Sequence, residues 1–66
     1  MPRDGRFKTG QVCPTSGVYG FAGYVDAGVD ALPTREEREI PLAKGERFPP
    51  LRSTGTACWW VLRRFA

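Results

Sequence analysis

ERFPPLRSTGTACWWVLRRF, Glu46 to Phe65, fills the last third of a 66-residue chain. Its reading decides the fold. Pro49 and Pro50 stiffen the exit from a short apolar point at Phe48, and Leu51 to Ala57 has the composition of a loop. Cys58 to Phe65 then alternates as a strand does. Cys58, Trp60, Leu62 and Arg64 fall on one side, and Trp59, Val61, Arg63 and Phe65 on the other. Both sides start apolar and end in arginine. A strand that is apolar on both faces lies inside a small sheet or barrel, or is covered by a partner. Which tryptophan faces outward depends on register, because a shift of one residue exchanges the faces.

The residues upstream supply the strands that such a segment needs. Gly17 to Val25 (GVYGFAGYV) is rich in β-formers. Alternation puts Tyr19, Phe21, Gly23 and Val25 on a bulky face, and Val18, Gly20, Ala22 and Tyr24 on a smaller one. The small face implies a close neighbour, and Gly20 and Gly23 are candidate bulge positions. Arg38 to Phe48 (REIPLAKGERF) reads as a second strand and its turn, with Ile40 and Leu42 on one face. Pro41 cannot donate to a ladder, so this strand belongs at an edge or a bulge. Lys44-Gly45 is a turn. Gln11 to Cys13 is a short extended piece before the turn Pro14-Thr15-Ser16-Gly17.

Residues 1–8 read as a loose arm and 26–37 as a long solvated loop. Thr34 and Glu37 within that loop have capping-box spacing. The expected architecture is one small all-β domain over residues 1–66, of three to five short strands. It takes the form of a twisted meander or a half-open barrel.

Composition narrows the chemistry. The chain has no histidine, two cysteines (Cys13 and Cys58) and a net charge of +3. Without histidine the usual general base near neutral pH is missing, and neither cysteine has an imidazole to activate it. No catalytic residue and no cofactor is therefore expected. Two cysteines do not complete a structural zinc site, which takes four ligands, so no metal is expected from one chain. The opening residues lack the apolar core of a signal peptide and no apolar run is long enough to cross a membrane. The expected setting is the cytoplasm, with the thiols reduced.

What remains is binding. Tyr19, Trp59 and Trp60, with Arg47, Arg52, Arg63 and Arg64, are the candidate partner surface, since Trp, Tyr and Arg are the residue types that anchor interfaces. A chain this short buries only ~60% of its unfolded surface, and such domains often gain stability from a second subunit. The first expectation is thus a non-catalytic interaction module that self-associates as a homodimer or meets a protein partner. The alternative is a small barrel that stacks single-stranded nucleic acid on aromatics along a basic groove.

Three pieces, GQVCPTSGVY (Gly10–Tyr19), KGERFPP (Lys44–Pro50) and the strand from Trp59, recur in this order in a group of small bacterial proteins. On these pieces, about half the chain, the sequence resembles the YjzC-like family. Some proteins of this kind look like miniature zinc ribbons, with one Cys-x-x-Cys pair after the first strand and another after the FPP segment. Here no cysteine follows the first strand, and Leu51 stands where the second pair would begin. The resemblance therefore implies a ribbon-like fold kept without metal, and it brings no activity with it.

Overall fold

Strand β2, Gly17–Tyr24, and strand β4, Cys58–Phe65, form the centre of the molecule. Both are eight residues long and rich in aromatic and β-branched side chains, which suit a pleated, half-buried surface. The computed structural model describes residues 5–66. Two shorter strands flank the central pair: β1, Arg6–Lys8, beside β4, and β3, Glu39–Leu42, beside β2. All pairings are antiparallel, and the order is β1-β4-β2-β3 in one open sheet. The all-β expectation holds. Pro41 lies, as read from the sequence, in an edge strand. The loose arm is corrected from Arg6 onward, because Phe7 and its neighbours pair with Val61, Trp60 and Trp59. The rest of the expected arm, residues 1–4, lies outside the described residues.

Two register shifts shape the sheet. Val18 stands opposite Arg64 but Tyr19 opposite Leu62, so Arg63 is a surplus residue on β4. Phe21 stands opposite Trp60 and Tyr24 opposite Cys58, so the second surplus residue is on β2. Gly23 lies in that second shift with φ +116°, a conformation that costs glycine little. The bulge corrects the simple alternation. It returns Tyr24 to the side of Phe21, and their ring centroids are 5.1 Å apart.

The core lies on one face of this sheet. Tyr19, Cys58 and Trp60 point into it from the strands, and Cys13, Phe48 and Leu51 close it from above. The closing layer is made by chain segments outside the sheet. Residues 10–13 and 45–48 pair as a short ribbon: Gly10 N–H donates to Phe48 O, Phe48 N–H to Gln11 O, Cys13 N–H to Glu46 O and Gly45 N–H to Cys13 O. A tight loop follows, in which Leu51 and Thr56 bridge. Phe7, Tyr19 and Phe48 form an aromatic cluster, with Phe7 stacked on Phe48 at 5.2 Å and Tyr19 edge-on to both.

The polar atoms of the core rings find partners locally. The Trp60 indole N–H and the Thr9 hydroxyl both donate to the Pro49 carbonyl, at 3.0 and 2.9 Å. Thr9 Oγ1 also accepts the Cys58 N–H. The Tyr19 hydroxyl donates to Thr15 O at 2.6 Å, in the turn read from Pro14 to Gly17. These bonds let large amphipathic rings fill the core without stranding a donor.

The long loop contains a single 3₁₀ turn, Arg35–Glu37. The Glu37 carboxylate accepts the Thr34 N–H, the acidic half of the capping box, and also takes the Ser53 hydroxyl at 2.9 Å. Earlier in the loop the Tyr24 hydroxyl donates to Ala31 O at 2.6 Å. Among the described residues no helix is long and apolar enough to cross a membrane.

Candidate binding surface on the open sheet face

A sheet with its core on one side leaves the other side uncovered. Register and alternation define that outer face. Lys8 is beside Trp59, Arg6 beside Val61 and then Gly20 and Glu39, and Arg64 beside Val18 and Pro41. Trp59, Val61 and Val18 are half-buried, so an apolar strip runs across the middle. Arg6, Lys8 and Arg64 stand around it. The Arg6 guanidinium lies 5.0 Å from the centre of the Trp59 ring, a cation–π contact that orients both groups.

Arg63, the surplus residue of the first bulge, folds back over Gly20. A side chain at Gly20 would meet Arg63 Nε at 2.5 Å, so the bare Cα of Gly20 leaves room for this fold-back. The close neighbour expected from the small face of β2 is thus an arginine. Arg64 reaches Glu39 at 3.5 Å, an exposed pair that contributes little to stability. Among the described residues, Arg6, Lys8, Arg63 and Arg64 share this face with Glu39.

The expected surface set divides under this geometry. Trp59, Arg63 and Arg64 come together on the open face. Tyr19 and Trp60 do not, being 0% and 1% exposed. Their large rings are what a 66-residue chain needs for its core, and both hydrogen-bond inside it. Arg47 belongs to the covering ribbon, where its guanidinium donates to Gly10 O at 2.9 Å, and Arg52 is exposed on the loop after Leu51. Arg6 and Lys8 were missed in the sequence because they sit in the segment read as an arm. The available signal was the polar–apolar–polar alternation Arg6-Phe7-Lys8.

The interior holds thiols and a phenol but no reactive arrangement among the described residues. Cys13 and Cys58 are both free and buried. Cys13 Sγ is 3.0 Å from Thr15 O and 3.4 Å from the Tyr19 hydroxyl. Burial pushes the Cys58 thiol up, which keeps it protonated and unreactive. Burial first, then the Cys13 contact, pushes the Tyr19 phenol up to about 12. Among the described residues no group of three or more His, Cys, Asp or Glu could hold a metal ion.

These features define a small all-β protein with a ribbon-capped core and one open, basic sheet face. The chain belongs to the YjzC-like protein family, whose profile matches residues 1–61, from the segment before β1 into the middle of β4. Neither the curated proteins nor the solved structures contain a match. Leu51, where the resemblance to zinc ribbons would put a cysteine, is fully buried. Its backbone N–H donates to Thr56 O at 3.0 Å. Packing occupies this part of the fold.

Proposed function

We propose that the protein is a non-catalytic interaction module whose open sheet face docks an acidic protein surface. The observation that carries this reading is the apolar strip Trp59–Val61–Val18 framed by Arg6, Lys8 and Arg64. Desolvated aromatic and aliphatic centres with arginine around them are the usual anatomy of a protein interface. Charge selects among partners. Two copies meeting through this face would set Lys8 and Arg63 of one against those of the other, so a homodimer of this kind is opposed by like charge. An acidic surface is complementary. Single-stranded nucleic acid has the right charge, but the valines offer it no stacking, and of the two tryptophans only Trp59 is outside the core.

The test places a photo-crosslinking residue at Val61, with a control at exposed Gly28, in cells producing the protein. Adducts specific to Val61, with acidic proteins, that disappear on Trp59→Ser or Arg64→Glu support the reading. Adducts with nucleic acid or with a second copy, or equal yields from both positions, overturn it.

A further inference from the structure

A groove opens at the edge of the sheet where β3 begins, and it shares Glu39 and Arg63 with the open face. It encloses about 520 Å³ and is lined by Phe21, Leu32, Pro33, Arg38, Glu39 and Arg63. That volume lies within the range of small-molecule sites. We propose that this groove binds a phosphate monoester carried on a planar ring, a ligand of mononucleotide size. The inference does not rest on the acidic-protein reading of the open face, although the two sites share Glu39 and Arg63.

The argument starts from the walls. Leu32 and Pro33 lie between two fixed points of the long loop, the Tyr24 hydroxyl on Ala31 O and the Glu37 carboxylate on the Thr34 N–H. Leu32 is 83% exposed, an unusual position for leucine on so small a surface, and it forms one apolar wall. Phe21 forms another. Its backbone N–H donates to Arg38 O at 2.8 Å, which holds the ring and Arg38 on neighbouring positions. Arg63 arrives from the other side because the bulge and the bare Cα of Gly20 give it room.

Charge decides the ligand class. Arg38 and Arg63 have no ion-pair partner among the described residues, whereas Glu39, the one carboxylate of the groove, is already engaged by Arg64. Two unpaired guanidinium groups beside an apolar slot ask for a compact anion on a flat body. Guanidinium matches phosphate through paired N–H donors, and Phe21, Leu32 and Pro33 offer apolar surface to a planar ring. An extended lipid tail or a bare anion would use only half of the site.

The experiment is amide-resolved NMR titration of the intact protein with adenosine 5′-monophosphate, phenyl phosphate, adenosine and inorganic phosphate. The two ring phosphates are expected to shift the amides of Phe21, Leu32 and Arg38. Adenosine and inorganic phosphate should each bind at least about tenfold more weakly, since each leaves one half of the site unused. Arg38→Ala should weaken the ring phosphates roughly tenfold, and Arg38→Lys should restore only part of it, because a point charge replaces a fork. Gly20→Ala, which displaces Arg63 without removing it, should act in the same direction while the fold persists. Equal binding of inorganic phosphate would overturn the proposal by showing a mere cationic patch. So would shifts that ignore Arg38→Ala, or no shifts at all. A short oligonucleotide titrated in parallel separates a free nucleotide from one within a strand. Binding of the strand alone, with no mononucleotide binding, would overturn the groove assignment and count against the acidic-protein reading of the open face.

Discussion

Gly17 and Gly20 sit three residues apart on β2, and the same substitution to alanine should give opposite results. At Gly17 an added Cβ would lie 2.4 Å from the Arg64 carbonyl oxygen and 2.7 Å from Leu62 Cδ1. Ordinary contacts need about 1 Å more, and the first obstacle is backbone. Relief requires the end of β4 to move away, which strains or breaks the ladder where Gly17 meets Phe65 and Val18 meets Arg64. Overpacking of this kind costs about 1–3 kcal/mol, and a lost backbone hydrogen bond adds about 1. Replacing glycine within a strand returns about 0.5–1 kcal/mol. The expected net loss is about 2 kcal/mol, roughly 10 °C in Tm for a domain this small. At Gly20 every atom met belongs to the Arg63 side chain, which is exposed and free to swing. The effect on stability should stay within about 0.5 kcal/mol. Urea denaturation followed by tryptophan fluorescence reads both variants, with an unchanged slope as the check on two-state behaviour. Equal losses at the two positions, or the larger loss at Gly20, would refute the reasoning that backbone against side chain decides the cost.

Three further outcomes are expected. Leu51→Ala removes a fully buried side chain and should cost about 2–5 kcal/mol, enough to unfold much of the population at 37 °C; circular dichroism melting checks it. The Tyr19 phenol is raised from 10.0 to about 12, so its contribution to stability is complete below the ordinary tyrosine range and is lost as pH rises through about 12. Urea midpoints measured between neutral pH and that limit should therefore fall on the alkaline side, and Tyr19→Phe should flatten the fall. Both thiols are buried, so a maleimide reagent should label native protein only as fast as the structure opens, and labelling should accelerate in urea for Cys13 and Cys58 together.

Much of the fold can be read locally. The β2 and β4 segments, the edge placement of Pro41, the turn before Gly17 and the Thr34–Glu37 spacing are all encoded in propensity and turn chemistry. The rest depends on contacts across long separations. The pairing of residues 10–13 with 45–48 has no local signature, yet it roofs the core. The bulge at Arg63 has no signature in β4 itself, whereas Gly23 marked the one on β2; together they decide that Tyr24 joins Phe21 and that Arg63 is free to fold over Gly20. Of the candidate surface, the pair Trp59–Trp60 shows the limit most plainly. Alternation states that they part, but only the pairing of Phe7 with Trp60 says which one goes inside. Tyr19 looked like an anchor because a lone sequence does not show that its hydroxyl has a buried acceptor at Thr15.

The sheet order β1-β4-β2-β3 has a consequence for how the molecule is made. The strand that joins the two halves is the last of the four to leave the ribosome. Until Cys58–Phe65 has emerged, β1 has no neighbour and β2 can pair only with β3, as a two-stranded hairpin that is marginal in water. Nascent chain must therefore wait unfolded, with Tyr19, Phe48 and Leu51 in solvent, and then assemble in one step through contacts of long sequence separation. Such a topology folds slowly for its size. The interval before β4 arrives is when the chain is most exposed to proteases and chaperones, and proteolysis of arrested nascent chains ending before and after this strand would show the protection appear all at once.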